Sequence, residues 1–488
     1  MALFLYNTLS GQVEEFKPLE GNKVRIYTCG LTVYGYAHIG NYRTFVFQDI
    51  LRRYLKYLGY EVFQVMNLTD VDDKTIRNSQ AAGVSLRDYT DKFIEAFEID
   101  RQLLGLEKPE VVVRATEHID DMVKLIQVLA SKGFAYQSDG SYYFRVEKFR
   151  DYGKLSKIDL SGIRPGARVE TDEYDKANVR DFVLWKAAKE GEPFWDTPLG
   201  RGRPGWHIEC SVMAMKYLGE TFDIHSGGRD LIFPHHENEI AQSEAATSKP
   251  FVRFWVHVEH LIVNGEKMSK SLGNVFTLRD LIAKRYKPTA IRYLLMSVPY
   301  RGLLNFTFEG LHQAQQSVER LRNFQYRLTM EDLPAGKNPE MDRLASTARQ
   351  NFEQALSDNL NTAEALAAIF EMVREGNTAM DQGRLYEGDR APVLDTIERS
   401  DRIFAILEDN DYDKLQRFGF LQPEEILASS SHTQLATLSE KEVETRLAER
   451  ENARREGDFA RADQIRDDLL KAGVIVEDTK MGARWKRK

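Results

Sequence analysis

The sequence predicts an α/β protein: a Rossmann-like parallel sheet with an insertion, then an all-helical bundle, then a small C-terminal α+β domain. Three observations predict it. Residues 24–27 read as a strand, a glycine-containing turn follows, residues 41–58 read as a helix, and a second strand at 61–66 comes after Gly59. Such a βαβ start folds as parallel strands joined by a right-handed crossover. From residue 309 the apolar period becomes helical, with Leu311, Ala314, Val318 and Leu321 at i, i+3, i+7 and i+10. A helix start at Ser439 and a strand-like run at 474–476 mark the last unit.

Each element has its own signal. In the first helix, Phe47, Ile50, Leu51, Tyr54, Leu55 and Leu58 recur at helical spacing. Residues 115–200 hold short strand-like runs, such as 141–146, punctuated by glycine, proline and charge and ending in the turn-rich 198–205. This reads as an insertion, because the βα pattern returns at 221–225 and 254–263. Helical stretches at 340–380 and 391–408 complete a bundle. An acidic run at 408–411 and a polar linker around 429–433 follow. Ser439-Glu440-Lys441-Glu442 is a capping box, Gly457 and Asp458 separate two helices, and Gly473 is a C-cap.

Composition bounds the function. At about 150 residues per domain, 488 residues suggest about three domains. Mean hydropathy is −0.46 and no run of about 18 apolar residues occurs, so no membrane span is expected. The N-terminus lacks a basic segment before a long apolar one, so no signal peptide is expected and the cytoplasm is the expected compartment. Cys29 and Cys210 are the only cysteines, which excludes a disulfide scaffold, thioredoxin-like CxxC chemistry and zinc ribbons. Net charge is −8, so any nucleic-acid surface must be local. Residues 441–488 hold 13 Lys/Arg against 11 Asp/Glu, leaving the rest of the chain the more acidic.

Three groups of residues can carry chemistry. No GxxxxGK[ST] and no GxGxxG follows the first strand, so P-loop and dinucleotide fingerprints are absent. Instead, His38-Ile39-Gly40-Asn41 joins strand to helix. His38 and Asn41 there face phosphate at a helix N-terminus, or simply cap it, and Gly40 permits close approach of a nucleotide. Lys267-Met268-Ser269-Lys270-Ser271 lies in a polar loop after an apolar run. Its cations and hydroxyls suit pyrophosphate, although lysine-rich loops are usually just solvated faces. Last, Pro234 opens a helix that puts His235 and Glu239 on one face, Cys29 ends the first strand, and Cys210 lies in a Trp-His-Ile-Glu-Cys string. Two cysteines, one histidine and one glutamate suit zinc. Their spacing matches no zinc finger, so buried cysteines with His235 as a cap remain the alternative.

Together HIGN and KMSKS resemble the signatures of class I aminoacyl-tRNA synthetases. Their flanks, YTCGLTVYGYAHIGNYRT, NLTDVDDK, PGWHIECS, FDIHSGGRDLIFPHHENEIAQSEA and EKMSKSLGN, resemble the cysteinyl-tRNA synthetase family over nearly the whole chain. The resemblance implies Cys29, Cys210, His235 and Glu239 as zinc ligands, with His225 beside the metal. It implies Gly30, Thr69 and Trp206 in a cysteine pocket. His38, Gly40 and Asn41 would meet ATP phosphates, in a signature that reads HIGN here rather than HIGH. Gly228 and Asp230 would hold the ribose, and Lys267 and Lys270 would lie on a mobile loop, Lys270 touching ATP. The implied domains are a catalytic half at 1–115, a connective insertion at 116–203, a second catalytic half with the zinc site at 204–265, and a KMSKS loop with stem-contact region at 266–310. A helical bundle at 311–410, a linker at 411–435 and an anticodon-binding domain at 436–488 complete them.

The implied reaction joins L-cysteine to ATP as cysteinyl-adenylate, with Mg²⁺ on the nucleotide, then transfers cysteine to tRNA(Cys). Zinc would select the substrate thiolate over a serine hydroxyl, because apolar pockets separate near-isosteres by only about 10²-fold. Arg484-Trp485-Lys486-Arg487-Lys488 would offer tRNA an aromatic platform among cations, unless it is a frayed tail. A monomer is expected. The competing readings are a cysteine ligase with an amino-sugar acceptor, which the ~180 residues beyond Gly310 oppose, and a non-catalytic zinc-containing RNA-binding protein, which has no use for both signatures.

Overall fold

A computed structural model describes residues 1–158, 181–421, 440–455 and most positions from 458 to 487. Two compact units result, Met1–Asp411 and Tyr412–Lys488. Among the described residues no helix is long and apolar enough to cross a membrane.

The first unit is built on five parallel strands: β1 (Lys23–Thr28), β2 (Glu61–Leu68), β3 (Val111–Arg114), β4 (Phe222–Gly228) and β5 (Val252–Val258). Their spatial order is β5-β4-β1-β2-β3. The strand order reverses between β1 and β4, and the crevice at the carboxyl ends of those strands is where such sheets bind ligands. Register fixes that seam: Ile26, Tyr27 and Thr28 lie beside Ile224, His225 and Ser226.

Helix α1 (Ile39–Tyr57) follows β1. It buries Phe47, Ile50, Leu51, Tyr54 and Leu55 as the spacing predicts, and also Arg43, Asp49 and Arg52. Its polar residues are buried because other elements cover its second face. Asp49 accepts from Arg292 on the helix Pro288–Met296 (2.5 Å) and from Arg53 (2.8 Å). Leu58, half-buried, caps the helix, and Gly59 at φ +89° turns the chain into β2.

Between β3 and β4 the chain forms a separate five-stranded antiparallel sheet from Ala135–Ser138, Ser141–Phe144, Phe182–Ala187, Trp195–Thr197 and Gly200–Pro204. The insertion read from sequence is therefore a sheet, and residues 159–180 within it lie outside the described residues. Two runs read as single elements are divided. The stretch 254–263 becomes β5 and a separate strand, Leu261–Val263, which pairs with Leu304–Phe306 in another sheet. The stretch 340–380 becomes helices Pro339–Ser357 and Thr362–Asp381. Asn359 and Leu360 take positive φ between them, and Asn361 caps the second. Helices Phe308–Met330 and Glu387–Phe404 complete the helical region.

In the second unit, helix Glu440–Arg455 and a hairpin of Val474–Thr479 with Gly482–Arg487 enclose Val443, Leu447, Ile465, Leu469, Val474 and Val476. Trp485 packs against that core. The basic end up to Arg487 is thus a paired strand rather than a frayed tail, and the indole is partly committed to packing rather than standing free as a stacking platform. The linker around 429–433, Ser439, Gly457, Gly473 and Lys488 lie outside the described residues.

Candidate metal centre and nucleotide site

The cysteine at the end of β1 is drawn onto the β1/β4 seam, where its backbone N–H donates to the Ser226 carbonyl (3.2 Å). Cys210 comes from helix α2 (Trp206–Leu218), which precedes β4. His235 and Glu239 come from the segment after β4, but not as one helix. Phe233 is extended (φ −134°, ψ 132°), Pro234 follows a cis bond, and the regular helix α3 (Glu237–Thr247) begins only at Glu237. The sequence expectation that Pro234 opens the helix is corrected. His235 lies in the irregular turn before it and still reaches the carboxylate, with Nε2 3.0 Å from Glu239 Oε1.

Ligand atoms of Cys29, Cys210, His235 and Glu239 all lie within 4.8 Å of one another, and all four residues are buried. A tetrahedral zinc with bonds of 2.0–2.3 Å needs ligand separations of about 3.3–3.8 Å. The observed 3.0 Å and, from Cys29 Sγ to Glu239 Oε1, 3.9 Å bracket that range. Cys29, His225, His236 and Glu239 form a second possible set. Both sets share Cys29 and Glu239. Glu239 turns Oε1 toward Cys29, His235 and, at 3.9 Å, His236, while Oε2 is 2.9 Å from His225 Nε2. His225 thereby fixes the Oε2 side of the carboxylate. His235 is braced the same way, with Nδ1 2.8 Å from His207 Nδ1 and its ring stacked on Trp206 at 4.1 Å.

The electrostatics of this cluster ask for a cation. Burial disfavours charge on His235, yet the Cys210 thiolate and Glu239 outweigh it and raise the imidazole to about 10. Burial likewise opposes ionisation of Glu239, but His225 and His235 hold it at about 2. Cys210 is drawn below the ordinary thiol value by a hydrogen bond from Cys29 and by His235, against burial. Burial and Cys210 push Cys29 up. Without a metal, then, a protonated histidine occupies the centre of two anions. His236 and His257 behave differently. Burial and neighbouring histidines push His236 down, and burial with His225 pushes His257 to about 3. They form a neutral chain from Cys29 Sγ (3.3 Å to His236) through His257 (2.7 Å) to Thr8 Oγ1 (2.8 Å).

His38 is the N-cap of α1. Its Nδ1 accepts from the Asn41 N–H (3.2 Å) while Asn41 Oδ1 accepts from the His38 N–H (3.1 Å). The capping reading is realised, and it holds both residues at the positive end of the helix. Ile39 N–H donates to the Phe276 carbonyl (2.9 Å), tying this turn to the end of the lysine loop. A Cβ on Gly40 would meet Met268 Cε at 2.9 Å, so the two signature segments touch at this glycine. The lysine loop is exposed. Lys267 pairs with Ile262 in a short hairpin, and Asn274 clamps the loop by accepting from the Ser269 N–H (2.7 Å) and donating to the Lys267 carbonyl (3.3 Å). The Lys270 side chain lies outside the described residues; its backbone forms a short helical turn, Lys270–Leu272. Gly228 ends β4, and a Cβ there would lie 2.4 Å from Asp230 Oδ1 and 3.8 Å from Thr44 Oγ1 of α1.

Gly30 follows Cys29, and a Cβ on it would meet the Asn67 carbonyl at 1.8 Å. Its N–H donates to Asn67 Oδ1 (3.0 Å), and Thr69 Oγ1 donates to Glu209 Oε2 (3.0 Å). The residues not singled out from sequence are Asn67, His207, Glu209, His236 and His257. The doubled histidine of Pro234-His235-His236-Glu237 and the Trp206-His207-Ile208-Glu209-Cys210 string were the available signals. Glu237, beside the ligands in sequence, accepts from the N–H groups of Gly153, Leu155 and Ser156 and anchors the insertion instead.

Comparison with known proteins fits this geometry. The fold is that of class I synthetases: methionyl-tRNA synthetase of Mycobacterium tuberculosis in complex with methionyl-adenylate aligns at a TM-score of 0.58 and 15% identity, over 83% of this chain and 95% of that one. A leucyl synthetase–tRNA complex from Agrobacterium radiobacter aligns at 0.57 and 12%, over 83% and 86%. Residues 15–316 match the family model for the class I (C) tRNA synthetase catalytic domain, 351–407 the DALR domain, and 439–485 the cysteinyl-tRNA ligase anticodon binding domain. Cysteine–tRNA ligases of Koribacter versatilis and Solibacter usitatus are each 54% identical, over the full length of both chains. The chain belongs to the cysteinyl-tRNA synthetase family.

Proposed function

We propose that this chain is a cysteine–tRNA ligase. The carboxylate of L-cysteine attacks the α-phosphorus of ATP, the bond to pyrophosphate breaks, and cysteinyl-adenylate forms. A ribose hydroxyl at the 3′ end of tRNA(Cys) then attacks the acyl carbon and AMP leaves. The observation that carries this reading is a buried two-thiol, imidazole and carboxylate cluster at the reversal point of the sheet, together with HIGN and KMSKS segments that touch at Gly40. No protein nucleophile is required, because positioning and charge stabilisation lower the barrier.

Cys29, Cys210, His235 and Glu239 would hold one zinc. Bound there, zinc supplies a soft position for a thiolate that a serine hydroxyl cannot match. Gly30, Thr69 and Trp206 line the space for the amino acid. His38, Gly40 and Asn41 receive the ATP phosphates, with Mg²⁺ on the nucleotide. Gly228 and Asp230 receive the ribose, and Lys267 and Lys270 neutralise the departing pyrophosphate. The helical stretch 311–410 and the C-terminal unit 436–488 take the tRNA of a monomeric, cytoplasmic enzyme. The match of 439–485 to an anticodon-binding model favours tRNA over a small amino-sugar acceptor.

The test is cysteine-dependent ATP–pyrophosphate exchange by the full chain and by a chain truncated at 410. Both should exchange, and only the full chain should charge tRNA. Exchange without dependence on cysteine would refute the substrate, and intact charging by the truncated chain would refute the role of the C-terminal unit.

A further inference from the structure

We infer that Arg279 and Asp100 are positioning residues for adenylate formation, whose ion pair pins the base of the lysine loop to the HIGN turn. The inference rests on the cysteine-ligase reading above and adds residues that neither signature contains.

The pair joins three elements. Arg279 lies in the helix Leu278–Ala283, which follows the lysine loop, and Asp100 in the helix Leu86–Leu103. Arg279 Nη2 is 3.1 Å from Asp100 Oδ1 and donates to the Ala96 carbonyl (3.3 Å). The other carboxylate oxygen, Oδ2, accepts from the hydroxyl of Tyr42 on α1 (2.8 Å). The guanidinium also lies over the Tyr36 ring, 4.8 Å from its centroid. Tyr36 comes just before His38 in the chain, and Tyr42 follows Asn41. The aromatic residues on either side of HIGN therefore both end on the same ion pair. Just before Arg279 the backbone meets the same turn. The Phe276 carbonyl accepts from the Ile39 N–H (2.9 Å), and Thr277 pairs with His38 in an isolated antiparallel bridge.

Packing alone does not call for a charge here. Leu278, Leu281 and Ile282 already bury the apolar face of the short helix. Asp100 is 1% exposed, and burial raises its carboxyl to about 6 against the pull of Arg279 and Tyr42. A buried pair of this kind costs stability that apolar residues of similar volume would not. What it adds is direction. Apolar burial leaves a short helix free to rotate and slide a little. A guanidinium held by a carboxylate, a carbonyl and a ring face does not.

The consequence concerns the first chemical step. The lysine loop is exposed and lightly held, so the place of its cations depends on where its far end is fixed. A misplacement of about 1 Å costs about 10²-fold in rate. The pair acts through the loop rather than on a substrate. Pyrophosphate has left before cysteine moves to tRNA, so the pair serves activation and not transfer.

The experiment measures cysteine-dependent ATP–pyrophosphate exchange and single-turnover transfer from preformed, enzyme-bound cysteinyl-adenylate to tRNA(Cys), on zinc-loaded, full-length protein. Asp100→Asn keeps the side-chain shape and an acceptor for Tyr42, and Arg279→Gln removes the cation. Each should lower kcat for exchange about tenfold with the KM for cysteine unchanged, and leave transfer within about twofold of the parent. In a Lys267→Ala, Lys270→Ala background neither should slow exchange further, because the pair acts through those lysines. An unchanged kcat in either folded variant overturns the inference. So does equal slowing of activation and transfer, or a full further loss in the background without the two lysines. Should Arg279→Gln fail to fold, Asp100→Asn decides, since it leaves no buried carboxylate without its cation. A parent protein without cysteine-dependent exchange refutes the proposed function itself, which is a separate outcome.

Discussion

The candidate metal centre and the lysine loop are built in opposite ways. The four metal-site residues and the histidines behind them are buried, and the second oxygen of Glu239 and the second nitrogen of His235 are each engaged by a neighbouring side chain. The lysine loop is exposed and is held by a two-residue hairpin and one asparagine. In the proposed function, preorganisation would suit a centre that tells sulfur from oxygen, and looseness would suit a loop that meets pyrophosphate and releases it. That reading puts amino-acid choice in the buried half and rate in the exposed half.

Substitutions can break that division. The largest effect is expected from Cys210→Ser, which should remove zinc and weaken cysteine binding by about 10²–10³-fold while ATP affinity changes little. Zinc analysis and separate titrations of the two substrates check this, and equal losses for both would contradict the division. At the exposed half, His38→Asn should cut the activation rate by about 10²-fold without loss of thermal stability, because asparagine is itself a good N-cap. Its cysteine affinity should be unchanged in equilibrium binding.

Next, His225→Ala should weaken zinc by about 10–100-fold through release of Glu239 Oε2, as read by competition with a chromogenic chelator. Protons sharpen the picture further. In the metal-free protein His235, raised to about 10, and Cys29, raised by burial, both carry protons at pH 7, whereas Glu239 and Cys210 have been drawn down and carry less. Zinc uptake at pH 7 should therefore release about two protons, measurable by calorimetry in buffers of different ionisation enthalpy. Zinc affinity should fall as pH drops, because each retained proton competes with the metal. The smallest effect is expected from Asn274→Ala, which should slow activation about fivefold by loosening the lysine loop.

Much of this was legible in the chain. The βαβ start and the return of strands after the insertion follow from apolar period, and β1, α1 and β2 form as read. From spacing alone the candidate ligand set was legible only as residue types, and the family resemblance supplied its four positions. Cys29 and Cys210 are 181 positions apart, and no spacing rule joins residues that a parallel sheet brings together by crossing from β1 to β4. The turn at Phe233 and Pro234 was misread because proline at a helix start is common, while the proline ring also pushes the residue before it, Phe233, to the extended region. Asn67 and Glu209 were invisible for a related reason. A polar residue in a strand or helix shows its hydrogen-bond partner only once other elements are packed against it. Trp485 illustrates the converse: an aromatic among cations reads as a nucleic-acid platform, yet the hairpin folds it onto a core.

The central claim is that one buried centre selects cysteine for transfer to tRNA. Aminoacylation of total tRNA by the zinc-loaded protein, with ATP and either cysteine or serine, tests it most directly. The account predicts cysteine charged onto its own acceptor, serine not charged, and loss of charging once zinc is stripped. Pyrophosphate exchange with cysteine but no charging of any tRNA would contradict it and move the acceptor to a small molecule.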